Sequence, residues 1–201
     1  MPSPNLIRVC VVGAESSGTT TLARDLAAHY ETVWVPEYGR TYTEQLRQKG
    51  INTFAYQWRT EEFVHTALQQ QEDEDRLATQ ANRLLICDTD ALATCIWHQR
   101  YMGTWSDDVE KIANRRRYDL YVLTDCDIPF ESDGVRDGQH IRPWMTHRFS
   151  EELTRRGYPL AAGEGHARRT ITARRGRSRS LARFGHCLAI PYLSSRTPVF
   201  R

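Results

Sequence analysis

The sequence predicts an α/β fold, three α/β/α layers around a central parallel sheet. Two observations carry this. Short, mostly apolar, β-rich runs recur at 6–12, 32–35, 83–87 and 118–124, with helix-forming segments between them, the alternation that produces βαβ units. The first run also passes straight into a glycine-framed turn, Gly13 to Gly18, and then into the start of a helix.

Leu6-Ile7-Arg8-Val9-Cys10-Val11-Val12 has the continuous apolar character of a strand buried on both faces. Thr20 to Tyr30 follows as a helix with Leu22, Leu26 and Tyr30 on one face. Thr32 to Val35 is a second strand, stopped by Pro36. Tyr38 to Lys49 is helical, with Gly50 as its stop signal. A long amphipathic helix is expected from about Tyr56 to Asn82, then a third strand at Arg83–Cys87, a helix over Ala91–Tyr101 and a fourth strand at Tyr118–Thr124. Right-handed crossovers bring the loops after successive parallel strands to one edge of the sheet, where chemistry is expected. After Gly157 no helical or strand period of useful length is visible.

Gly13-Ala14-Glu15-Ser16-Ser17-Gly18-Thr19-Thr20 has the spacing G-x-x-x-x-G-x-[ST], with Thr21 continuing the helix start. The glycines allow a tight turn, and successive backbone N–H groups with the helix N-terminus can face a phosphate. This is the phosphate loop of a P-loop NTPase fold, and it calls for ATP as co-substrate with Mg²⁺ at the Thr20 hydroxyl. The departure is Thr19, which stands where lysine normally reaches the β- and γ-phosphates.

Phosphoryl transfer needs positioning, charge neutralisation and a destination for the acceptor proton. Glu37, after the second strand, is the candidate general base or acceptor-orienting group; the alternative is a glutamate resting at a helix N-terminus. Asp88 ends the third strand as a Walker-B-like ligand for Mg²⁺. Asp90 is either a substrate-facing carboxylate or the N-cap of the helix beginning near Ala91. Arg136 and Arg142 follow the fourth strand in a glycine-bearing polar stretch, and lid arginines of this kind can neutralise a transferring phosphate. Arg40 is a third candidate, for phosphate or substrate. Among Tyr38, Trp58, Trp97, Tyr101 and Trp105, one or two can sandwich a flat ring, the rest belonging to the core.

Several of these motifs together resemble one family. Val12-Gly13-Ala14-Glu15-Ser16-Ser17-Gly18, Pro36-Glu37-Tyr38-Gly39-Arg40, Cys87-Asp88-Thr89-Asp90 with Thr94-Cys95-Ile96-Trp97, and Asp127-Ile128-Pro129-Phe130 with Asp133-Gly134-Val135-Arg136 are similar to the ribosylnicotinamide kinase domain of the NadR family. The resemblance spans about residues 5–158. It implies a P-loop kinase of the nucleoside and adenylate kinase type, phosphorylating nicotinamide riboside to nicotinamide mononucleotide in NAD biosynthesis. Substrate contacts are expected at Glu37, Tyr38, Arg40, Asp90 and Trp97. Members often carry an adenylyltransferase domain ahead of the kinase; a first strand at residue 6 leads us to expect none here. Another nucleoside or small-metabolite acceptor, or a non-catalytic ATP-binding regulator, are the other readings of the same loop.

The bulk composition fits one domain. The chain has 201 residues, 40% hydrophobic and 26% charged, enough for a sizeable core. No apolar run approaches the length of about 18 residues that signals a membrane span, and the five cysteines form no C-x-x-C pair. A cytoplasmic protein without membrane contact is expected. The net charge of +2 divides unevenly: residues 159–201 hold nine Arg against Glu164 alone, for +8, which leaves −6 on residues 1–158. We therefore expect a kinase domain over 1–158 and an atypical Arg-rich segment over 159–201. That segment admits three readings: a disordered arm with affinity for nucleic acid, an inert tail, or the product of a changed reading frame near Tyr158. No nucleic-acid contact is expected outside it.

Overall fold

The computed structural model of the chain describes residues 6–131, 138–163 and 171–173. Its centre is β1 (Ile7–Val12), flanked by β3 (Leu84–Asp88) on one side and β4 (Leu120–Thr124) on the other. β2 (Trp34–Val35) lies outside β3, and β5 (Leu160–Gly163) outside β4. These five strands are parallel, and β6 (Ile171–Ala173) adds an antiparallel edge, giving the order β2-β3-β1-β4-β5-β6. The first link crosses from β1 past β3 to β2, and the chain later returns to β4 on the opposite side of β1. This reversal opens a crevice at the carboxyl ends of the strands.

Alternate residues of each strand face opposite layers. Val9 and Val11 of β1, Ile86 of β3 and Leu120 and Val122 of β4 pack with Leu22, Ala23, Leu26 and Ala27 of α1 (Thr19–His29). Cys10 and Val12 of β1, Leu85 and Cys87 of β3 and Tyr121 and Leu123 of β4 face the other layer. There they meet α3 (Thr60–Ala78), α4 (Ala91–Met102), α5 (Asp107–Ala113) and α6 (Arg142–Arg155). Cover on both faces is why these strands read as continuous apolar runs. Cys10, Cys87 and Cys95 are buried free thiols, and burial pushes all three up from the ordinary thiol range.

The predicted elements through 124 are present with shifted ends. α2 (Tyr38–Gln48) and α4 lie within a residue or so of expectation. The long helix is shorter than the Tyr56–Asn82 expected. α3 begins at Thr60, because Glu62 Oε2 accepts the Arg59 N–H and closes the N-terminus, and a separate 3₁₀ turn, Thr53–Ala55, precedes it. Two helices were not anticipated. α5 starts after Ser106, whose hydroxyl accepts the Val109 N–H, and α6 carries Pro143 at its first turn, a favoured position. β5 is likewise present where no strand period was visible, since Leu-Ala-Ala-Gly is short and unpatterned. Arg136 and the Arg-rich run 174–180 lie outside the described residues. No helix among the described residues is long and apolar enough to cross a membrane.

Candidate active site

The phosphate loop joins the carboxyl end of β1 to α1. A Cβ at Gly13 would meet Thr124 Oγ1 at 2.0 Å and Ser17 Oγ at 2.6 Å, so the loop can approach β4 only with glycine there. Gly18 is the N-cap of α1 with φ 83°, the left-handed region that glycine enters without strain. Ser16 also has a positive φ, 56°. Its hydroxyl accepts the Glu131 N–H at 2.9 Å, tying the loop to the segment after β4. Ser17 Oγ donates to the Ala14 carbonyl at 2.7 Å and lies 2.6 Å from Thr124 Oγ1.

A cleft opens beside this loop at the carboxyl ends of the strands. Gly13, Ala14, Glu15, Ser16, Thr19 and Thr20 line its loop side. Ser17 and Gly18 build the turn without lining the cleft, and Thr21 is exposed on α1. Thr20 Oγ1 donates to Asp88 Oδ2 at 2.6 Å, and Asp88 is 1% exposed. A hydroxyl and a carboxylate side by side are an oxygen donor set suited to a hard cation such as Mg²⁺. Among the described residues there is no cluster of three or more His, Cys, Asp and Glu able to hold a metal by themselves.

Of the carboxylates after the strands, Glu37 lines the cleft, while its side chain makes no cap bond to α2 although the residue stands at the N-cap. Glu37 thus stands both at the helix N-terminus and on the cleft wall. Asp90 is the reverse case. Its Oδ1 accepts the Ala93 N–H at 2.8 Å and its Oδ2 accepts the Tyr121 hydroxyl at 2.6 Å, so both oxygens serve the start of α4 and the sheet. Asp90 does not line the cleft, and burial raises its carboxyl against the pull of those donors.

The far wall is aromatic. Trp58 and Tyr101 rings lie 5.4 Å apart, Trp97 and Tyr101 stack at 6.1 Å and 22°, and Trp58 meets Phe63 at 5.7 Å. Beside them Glu62, 5% exposed, also lines the cleft. Its Oε1 accepts the hydroxyls of Tyr42 at 2.9 Å and Tyr56 at 2.6 Å. Burial and this carboxylate push the Tyr42 phenol up to about 12. Arg40 lines the cleft and pairs with Glu44 at 3.2 Å. Tyr38 lies outside the lining, with its hydroxyl 3.1 Å from His65 Nε2, and the Trp105 indole N–H donates to Glu110. Glu62, Tyr42 and Phe63 were not anticipated. The one signal for Glu62 is its spacing from Arg59, a capping-box interval.

Two arginines brace the loop. Arg142, 6% exposed, donates from Nη2 to the carbonyls of Ser16 at 3.2 Å and Ile128 at 2.9 Å, and stands outside the cleft lining. Arg100, absent from the sequence-based candidates, pairs with Glu15 at 2.8 Å.

A glycine-framed loop between a central parallel strand and a helix N-terminus, with an aspartate ending the neighbouring strand, defines a P-loop domain of kinase-like fold. Residues 8–168 match the family described as AAA domain, and the chain belongs to that family. It is 30% identical over 128 residues to the trifunctional NAD biosynthesis/regulator protein NadR of Salmonella typhimurium (strain LT2), and equally to that of Escherichia coli (strain K12). These alignments cover 64% of this chain, which spans 30% of the length of either relative. The resemblance to NadR read from the motifs is thus borne out. Among solved structures, NadR in complex with NR superposes with a TM-score of 0.68 at 20% identity, over 84% of this chain and 48% of that one. NadR with NAD and AMP-PNP gives 0.64 at 18% identity, over 81% and 45%. Thymidylate kinase from Ehrlichia chaffeensis gives 0.54 at 13% identity, over 83% and 91%. These superpositions establish the P-loop kinase fold.

Proposed function

We propose that this domain transfers the γ-phosphate of ATP to a ribose hydroxyl of nicotinamide riboside. The observation that carries the reading is one shared cleft: the phosphate loop on one side, and Trp58, Trp97 and Tyr101 with the buried carboxylate Glu62 on the other. Aromatic faces beside a carboxylate favour a flat cation, and a pyridinium ring is both flat and cationic. Complexes of NadR with NR and with AMP-PNP support the same pair of ligands.

In this reading the loop N–H groups and the α1 N-terminus hold the phosphates. Thr20 and Asp88 are the residues for Mg²⁺, which when bound neutralises charge on the transferring phosphoryl group. Glu37, a carboxylate lining the same cleft, orients the acceptor hydroxyl and takes its proton. Arg142 fixes the loop through the Ser16 carbonyl.

Thr19 favours a second reading, an ATP-binding regulator without turnover, because the loop lacks its phosphate-facing lysine. ADP release measured with nicotinamide riboside, with purine and pyrimidine nucleosides, and with no acceptor separates the two. Riboside-dependent release is expected. ATP binding with no release in any arm overturns the kinase reading, and faster release with a neutral nucleoside overturns the acceptor.

A further inference from the structure

Glu62, Thr66 and Gln70 recur every four residues on α3, so they stand above one another on one face of the helix. All three are buried and all three line the cleft. The row is about 12 Å long, enough to follow a nucleoside from its ring to its sugar. Its first member belongs to the aromatic wall, since Glu62 holds Tyr56, whose ring meets Trp58 at 5.0 Å. Its middle member faces Glu37, because a Cβ at Gly39 would lie 3.6 Å from Thr66 Cγ2 and equally from Glu37 Oε1. Its last member, Gln70, reaches the start of α2, where its Oε1 accepts the Tyr38 N–H at 2.8 Å.

We propose that Gln70 is a specificity-determining residue, its side-chain N–H donating to an uncharged oxygen of the acceptor nucleoside, either a ribose 2′- or 3′-hydroxyl or a carbonyl on the ring. The proposal deepens the acceptor reading above and rests on it. A backbone N–H can only donate, so the Tyr38 contact fixes which end of the amide is oxygen and leaves the NH₂ group for another partner. Gln70 is 2% exposed, and among the described residues nothing accepts from its Nε2. A buried donor left unmet is costly, and native folds rarely keep one without a use. Arg8, Arg142 and Thr146 also hold such atoms, but none of the three lines the cleft. The terminal amide torsion has a broad well, so a bound oxygen can draw the NH₂ edge to the cleft surface.

The chemistry of the neighbours points the same way. Glu37 and Glu62 bring carboxylates, which accept from the hydroxyl and N–H groups of a ligand. An oxygen of the ligand needs a donor, and the Gln70 amide supplies one without adding charge.

The test reads nucleoside binding. Nicotinamide riboside is titrated calorimetrically into the full chain and into Gln70→Glu and Gln70→Met, each with its thermal melt. Three analogues follow, lacking the ring carboxamide, the 2′-hydroxyl or the 3′-hydroxyl, and then uridine as a neutral nucleoside. Glutamate keeps an oxygen for the Tyr38 N–H and loses the donor; methionine loses both. Each variant is expected to weaken nicotinamide riboside binding about 3- to 10-fold, the worth of one neutral hydrogen bond. The analogue that lacks the oxygen met by Gln70 should bind the unaltered chain more weakly by a similar factor and be indifferent to the substitution. Which analogue does so assigns the oxygen to ring or sugar. If Gln70→Met does not fold, Gln70→Glu carries the comparison. Unchanged nicotinamide riboside affinity in a folded variant overturns the proposal, as does an equal loss for all three analogues. A fall in kcat with affinity unchanged also overturns it, leaving Gln70 only to position Glu37 through Tyr38. Uridine binding in place of nicotinamide riboside, weakened by the same variants, supports the role of Gln70 and sinks the acceptor reading alone.

Discussion

Thr20 Oγ1 donates to Asp88 Oδ2 across 2.6 Å, joining the first turn of α1 to the end of β3. The loop and the strand end meet because β1 and β3 are adjacent and parallel, with Val11 opposite Asp88. Asp88→Asn keeps the shape and removes the charge. It is expected to lower kcat about 100-fold or more, as for loss of one electrostatic contact to a developing charge. The Mg²⁺ concentration for half-maximal AMP-PNP binding rises in parallel. Full activity at unchanged Mg²⁺ dependence would remove Asp88 from the metal site.

Gly13→Ala tests the close approach of loop and sheet. The new methyl group would overlap Thr124 Oγ1, which itself donates to the Val12 carbonyl. Overpacking here is expected to cost about 1–3 kcal/mol of stability, seen as a lower Tm, together with loss of AMP-PNP binding. Thr124→Ala in the Gly13→Ala background recovers part of the Tm. A Gly13→Ala protein with unaltered Tm would mean that the loop can move away from β4.

Glu62→Gln tests the aromatic wall. Glu62 takes the hydroxyls of Tyr42 and Tyr56, and glutamine keeps an acceptor while losing the charge. KM for nicotinamide riboside should rise about tenfold relative to that for a neutral nucleoside, equivalent to about 1.4 kcal/mol of lost attraction. The Tyr42 phenol, held up to about 12, should titrate at lower pH in a spectrophotometric titration. Equal KM changes for both acceptors would show that the carboxylate does not read the ring's charge.

The sheet and the phosphate loop were legible because each lies in contiguous stretches of sequence. Val9 to Val12 is apolar since two layers cover it, and Gly13 and Gly18 stand where backbone geometry demands glycine. Glu37 and Asp88 were singled out because residues at strand ends share one edge of the sheet. Asp90 shows the limit of that rule: the strand end is right, yet its oxygens face Ala93 and Tyr121. Glu62, Tyr42 and Tyr56 come together from three separate segments, and Arg100 and Glu15 are 85 positions apart. No local period records such meetings. α6 escaped notice although Met145, Phe149 and Leu153 recur at four-residue spacing, because Arg142 and Glu152 are buried on the same helix.

Glu74 should make stability fall as pH rises through neutrality. It is 0% exposed on α3, accepting the Tyr118 hydroxyl at 2.7 Å and Arg116 Nη1 at 2.8 Å. Burial pushes its carboxyl up to about 7, against the downward pull of Arg116 and Tyr118. An unfolded chain releases that proton near pH ~4.3. Between these two values the folded state binds more protons, so unfolding becomes easier as pH rises. The contribution is whole below the unfolded value and is lost as pH passes through about 7, amounting to about 4 kcal/mol at most. Tm measured from about pH 5 to about pH 8 at constant ionic strength should therefore decline, and Glu74→Gln, which cannot titrate, should decline less. Subtracting the two profiles isolates the part of the slope that belongs to Glu74. Parallel profiles would assign the slope to other groups and leave Glu74 ionised throughout beside Arg116.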